Sequence, residues 1–271
     1  MKKRIQVTTA FILLAGLLVS CAHQEDLAPA LEEAGIAVFN VEETEAARLF
    51  EEEDEFCVSA VFEGDKIVLS EPSGGNILNE IQIPYDQYEV FISMLDEKNG
   101  YLLYCSTPAC GLMEKVLYKT EDRWKTYGET DIGSKIDGYP TSLLAVKGEL
   151  IYVGTQMRSN GYLFVTKDGG KNWDSVSVEE DRNFRTGYAP ILDKDSETAY
   201  AFFDTGDSNW LLYRAECPQA GEDLQNLIWE KAGKFSWKED LMEDYFLYEG
   251  MIYLTDSKGK CYLLKKPETG R

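Results

Sequence analysis

A chain of 271 residues with 44% apolar and 12% aromatic content can bury a core and does not have the composition of a disordered protein. Its 48 acidic residues outnumber 27 basic ones, for a formal net charge of -21, which works against nucleic acid and anionic substrates. The sole histidine, His23, lies near the N-terminus and no CxxC pair is present, so a Cys/His zinc site and histidine-dependent triads are excluded and no cofactor or metal is expected.

The chain begins "MKKRIQVTTAFILLAGLLVSC". Lys2, Lys3 and Arg4 give a cationic start, Ala10 to Val19 form an apolar run, and small Ser20 precedes Cys21. The run is too short to hold in a bilayer as a stable anchor, so the segment reads as an export signal. Its ending, "LVSC", resembles a bacterial lipobox. That resemblance implies removal of residues 1–20, lipidation of Cys21, and an extracytoplasmic chain tethered to the cell membrane or outer membrane. The alternative is an ordinary secretory signal with a cysteine nearby. Residues 21–55 follow as an acidic tether, broken by Pro29, that carries "EETEAARLFEEEDE" and one strand-like run, "GIAVFNV", at 35–41.

From Phe56 the chain changes to short apolar runs bounded by Gly, Asp, Asn and Lys, which is strand-and-turn composition. One strand recurs as "KIVLSE" (66–71), "GYLLYCS" (100–106), "ELIYVGT" (149–155), "TAYAFFD" (198–204) and "GMIYLTD" (250–256), with starts 34, 49, 49 and 52 residues apart. Runs such as "SLLAVKG" and "YFLYEG" precede it, and "KVLYKTED", "WLLYRAEC" and "KCYLLKK" follow it. A strand-turn-strand unit repeating at this spacing predicts an all-β fold over 56–271: a β-propeller of about five blades, each of three or four antiparallel strands. A β-sandwich also has many short strands but gives no reason for the repeat.

"TKDGGKNW" at 166–173 ends one of the third strands. Thr166, Asp168, Gly170 and Trp173 resemble the four fixed positions of the Asp box, the Ser/Thr-x-Asp-x-Gly-x-x-Trp repeat of bacterial neuraminidases and related propellers. The preceding unit has a degenerate copy, "TEDRWKTY", with Thr120 and Asp122 in place, Trp124 at the glycine and Tyr127 at the tryptophan. The surrounding sequence is also similar to the Asp-box propellers of photosystem II assembly factors. The chemistry of the motif is that of a turn: aspartate accepts backbone N–H bonds, glycine takes positive φ, and tryptophan covers apolar surface. Lys171 stands where a calcium loop needs oxygen ligands, so the box reads as structural.

The sialidase resemblance implies an arginine triad whose first member sits in an Arg-Ile-Pro motif. The chain has none, and only Arg158, Arg182, Arg185 and Arg214 remain as candidates. The carboxylates are too numerous to single out a glycosidase pair. Tyr139, Tyr188, Trp210 and Trp237 offer stacking surfaces for a sugar or peptide, or else core packing. The reading is a lipid-anchored monomer that binds a protein or glycan partner at the cell envelope, leaning away from catalysis. The alternatives are a divergent sialidase-like glycoside hydrolase and an assembly factor for a membrane complex.

Ring closure completes the expectations. The last unit lacks a fourth strand, and 35–41 is the one unused apolar run upstream, so it is expected to supply that strand. Cys57 would then approach Cys261, a candidate disulfide; Cys105 and Cys110 are a second candidate across "CSTPAC".

Overall fold

The recurring strand proves to be the second strand of each structural unit. The computed structural model describes residues 37–44, 57–71, 75–84, 86–110, 112–156, 162–176, 178, 184–193, 198–206, 208–216, 228–237, 242–248 and 250–265. The signal, the lipobox Cys21 and most of the tether lie outside these residues. In chain order, β1 (Ala37–Val38) and β2 (Asn40–Thr44) come first, then a group of β3 (Ser59–Glu63), β4 (Lys66–Ser70) and β5 (Ile77–Gln82). The second group is β6 (Gln87–Met94), β7 (Gly100–Ser106), β8 (Lys115–Thr120) and β9 (Gly128–Asp131). The third is β10 (Tyr139–Lys147), β11 (Leu150–Gln156), β12 (Leu163–Thr166) and β13 (Asp174–Ser175). The fourth holds β14 (Thr186–Gly187), β15 (Ile191–Asp193), β16 (Thr198–Asp204), β17 (Asn209–Glu216) and β18 (Glu230–Ser236). The last is β19 (Met242–Tyr248), β20 (Met251–Asp256) and β21 (Cys261–Lys265).

Within each group, successive strands pair antiparallel in a meander, except that β14 and β15 both lie against β16 as two pieces of the fourth group's first strand; no helix occurs among the described residues. The third and fourth groups share one ten-stranded sheet only through the short contact Gln156↔Thr186. The architecture is that of a β-propeller. First strands lie side by side, β3 beside β6, β6 beside β10 and β15 beside β19. Hydrogen bonds join them: the Ala145 N–H donates to Ser93 Oγ (3.0 Å), and the Tyr245 hydroxyl donates to the Ala189 carbonyl (2.5 Å).

Alternation along the second strands explains the core. Leu102 and Tyr104 of β7 face the first group and pack with Ile67, Leu69 and Ile81, while Tyr101, Leu103 and Cys105 face the third group and pack with Ile151 and Val153. Strand β7 is therefore buried on both faces, which is why "GYLLYCS" is apolar without a break. Similar clusters sit between the third and fourth groups around Ala201 and Phe203, and between the fourth and last around Phe202 and Leu254.

The closing segment differs in its bounds from the expected 35–41. Asn40–Thr44 forms the fourth strand of the last group, antiparallel to β21 with Val41 opposite Leu264. Ala37–Val38 instead pairs in parallel with β18, opposite Gly233 and Lys234. Phe39 makes the step between the two sheets. Its ring lies over Gly233, where an added Cβ would stand 2.2 Å from the ring, so only a glycine admits the crossing. Lys260–Glu43 and Lys265–Glu42 ion pairs flank the seam.

Candidate functional site

The two box sequences fold into the same turn, each carrying the chain from a third strand to a fourth. In the intact box, Thr166 Oγ accepts the Gly170 N–H (3.0 Å) and donates to Asp168 Oδ1 (2.8 Å). Asp168 Oδ1 also accepts the Asn172 N–H (2.9 Å), and Oδ2 accepts the Asn172 side-chain amide (2.7 Å). In the degenerate box, Trp124 N–H donates to Thr120 Oγ (2.8 Å), Thr126 N–H donates to Asp122 Oδ1 (2.8 Å), and the Thr126 hydroxyl donates to Asp122 Oδ2 (2.7 Å). The network survives the loss of glycine and tryptophan because threonine, aspartate and backbone amides build it.

Partial burial raises the cost of charging Asp168, yet the Asn172, Thr166 and Lys171 donors outweigh it and hold its carboxyl down at about 2. Asp122 is lowered in the same direction, chiefly by the Thr126 donors. Both carboxylates are thus ionised acceptors occupied by their own turns. Gly170 has φ 92° and a Cβ there would meet Leu117 Cδ2 at 2.8 Å, so its glycine is fixed both by conformation and by space. Trp173 donates its indole N–H to the Gly170 carbonyl (3.1 Å) and leans on the core between the second and third groups.

Trp124 is the larger departure. It keeps the left-handed backbone of the glycine position, φ 64°, and its side chain is fully buried between the first and second groups. Its indole N–H points to Met94 Sδ (3.4 Å), and its carbonyl accepts Asn79 Nδ2 of β5 (2.6 Å). Tyr127, at the tryptophan position, is 39% exposed and meets Tyr118 edge-on. The degenerate box therefore fastens two groups together. Two turns outside the motif use the same device: Asp96 accepts the Lys98 and Asn99 N–H groups, and Asp256 accepts those of Lys258 and Lys260. Sequence reading passed over both, although "LDEKNG" and "TDSKGK" carry the aspartate and the turn residues that mark them.

Tyr188, Trp210 and Trp237 are buried, with Tyr188 against Trp210 and Trp237 edge-on to Tyr262. They pack the fourth group on the last and present no stacking surface; Tyr139 is half-buried against the core between the second and third groups. Arg214 pairs with Glu230 (3.4 Å), Arg123 lies 3.9 Å from both Glu71 and Glu97, and Arg185 is exposed. Arg158 and Arg182 lie outside the described residues.

Neither suggested disulfide forms, because Cys105, Cys110 and Cys261 are free thiols. Alternation along β7 turns Cys105 into the core, while Cys110 sits exposed in a turn with φ 53°. Burial pushes the Cys105 thiol far up and the Cys261 thiol up to about 11, so both stay protonated.

The described surface also contains a rim cleft of about 490 Å³ lined by Gln82, Ile83, Val116, Tyr118, Glu129 and Asp131. It lies where the outer edge of the first group faces the outer strands of the second. Among the described residues the first group has three strands, and β5 pairs only with β4. The signal for this was in the repeat: the first interval is 34 residues against 49 to 52 for the others, too short for another strand.

No family model and no curated protein matches the chain. Among solved structures, BBS1N in complex with ARL6DN is similar, with a TM-score of 0.48 and 11% identity over 86% of this chain and 66% of that one. YCF48 bound to D1 peptide gives a TM-score of 0.43 and 14% identity over 77% and 62% of the two chains. A GH43_1 enzyme from Xanthomonas citri gives 0.42 and 10% over 85% and 87%. The likeness to each is one of strand architecture and transfers no residue role.

Proposed function

We propose that this chain is a lipid-anchored, extracytoplasmic β-propeller that holds a protein or glycan partner at the cell envelope without catalysing a reaction. The carrying observation is the consumption of its motif residues by the fold: both Asp168 oxygens accept bonds from within the turn, as do both Asp122 oxygens. Carboxylates held ionised by their own turn are poor general acids, since a general acid needs a raised pKa. The burial of Trp210 and Trp237 adds to this, because a sugar-binding aromatic must show its face. "LVSC" supports the anchor, and a rigid ring with exposed loops supports a binding role.

The test has two arms on the full chain. Cys21→Ala should abolish incorporation of a labelled fatty acid, and a panel of sialosides and neutral glycosides should show no turnover above background. Retained labelling would remove the anchor. Turnover lost on changing one carboxylate would replace binding with glycoside hydrolysis.

A further inference from the structure

Among the described residues, nothing pairs with the outer edge of β5, which leaves it an open half of a ladder. The Ile83 N–H donates inward to the Asp65 carbonyl, and Ile81 and Asn79 stand opposite Ile67 and Leu69. Alternation then points the backbone groups of Gln82 and Glu80 away from β4. The Glu80 N–H is covered by its neighbour Asn79 Oδ1 (2.8 Å), which leaves the Gln82 end of the edge open beside the cleft. At the other end of β5, Ile77 is 62% exposed.

The wall facing that edge belongs to the second group. Tyr118 and Val116 turn toward the first group, and Glu129 and Asp131 stand directly opposite them on β9. In a four-stranded unit, a fourth strand would lie against this wall. The wall is half-buried Val116, set beside the buried ring of Tyr118 and bordered by two exposed carboxylates.

We propose that the outer edge of β5 is a docking edge, which takes an extended segment of a partner protein bearing alternate Lys or Arg residues as the fourth strand of the first group. This rests on the reading of the chain as a partner-binding propeller and names the partner's chemistry. The backbone supplies the ladder through Gln82, as in strand addition to other exposed sheet edges. The long stems of Lys or Arg lie along the cleft over Val116, and their heads reach the exposed Glu129 and Asp131. Charge argues against self-occupancy: the segment before β3 reads "FEEEDEF", and a second copy brings a net charge of -21. The last group shows that this fold takes a strand distant in sequence, since β2 completes it.

The test uses the full chain and two fluorescein-labelled twelve-residue probes, one alternating Lys with Val and Thr, the other with Glu in place of Lys. Fluorescence anisotropy should show binding of the Lys probe and none of the Glu probe. Gln82→Pro removes the outward N–H at a position where an edge strand tolerates proline, and should weaken the Lys probe by roughly tenfold. Glu129→Lys, which touches no ladder bond, should weaken it by roughly fivefold and gain binding of the Glu probe. Absence of Lys-probe binding, equal binding by wild type and both variants, or equal binding of the two probes would overturn the proposal. So would slow hydrogen exchange of the Gln82 amide in the unliganded chain, which would mean the edge is already covered. These failures concern the edge alone; glycoside turnover is what would overturn the binding reading beneath it.

Discussion

Trp124 supports a prediction of unusual sign. Its side chain fills the core between the first two groups, while its backbone holds φ 64°, the region glycine enters without cost. Removing a buried tryptophan costs about 3–5 kcal/mol, and a side-chain-bearing residue at positive φ costs about 1–2 kcal/mol relative to glycine. Trp124→Ala loses the packing and keeps the strain, so it should destabilise by about 3–5 kcal/mol. Trp124→Gly loses the packing and releases the strain, so it should cost about 1 kcal/mol less than the alanine variant. The N–H bond to Thr120 and the carbonyl bond from Asn79 are backbone interactions on the Trp124 side and remain in both. Equilibrium urea unfolding followed by far-ultraviolet circular dichroism measures this, with the slope checked for constancy. An alanine variant as stable as the glycine variant, or a cost below about 1 kcal/mol for either, would refute the assignment of Trp124 to the glycine position of a box turned into a core fastener.

Three further outcomes follow from particular contacts. Gly233→Ala should push the Phe39 ring off β18, lowering stability by about 1–3 kcal/mol and raising hydrogen exchange in 37–44. With the chain native, Cys110 should react quickly with a maleimide, whereas Cys105 and Cys261 should react only on unfolding; a disulfide-linked peptide containing any of the three would contradict the geometry. Asp168→Ala should lower stability by about 1–3 kcal/mol, the cost of leaving its turn donors without an acceptor.

The sequence made the repeating strand legible because that strand is buried on both faces in most groups, and a run such as "TAYAFFD" needs little context to be read. The boxes were legible because their hydrogen bonds join residues two and four apart. The step at Phe39 was not, since its cause is a glycine almost two hundred positions away whose missing Cβ makes room for the ring. Trp210 and Trp237 remained open between core and ligand surface because a strand's period gives its two faces but not what covers them. The three-stranded first group seen among the described residues was written in the short first interval, a spacing that leaves no room for a further strand without saying what borders β5.

The central claim is that the Thr166–Trp173 motif serves the fold, and the pH dependence of the Asp168→Ala effect tests it most directly. A carboxyl of an unfolded chain titrates near about 3.9, whereas Asp168 in the folded chain is held at about 2. A depressed folded value means that its stabilisation is complete above the unfolded value and is lost as pH falls through the folded one. The measurement is the difference in unfolding free energy between wild type and Asp168→Ala at a series of pH values. The account predicts a constant gap above about pH 5 that narrows from about pH 4 toward pH 2. Equal stability of the two chains at neutral pH, with partner binding lost in the variant, would contradict it and make the turn a functional site.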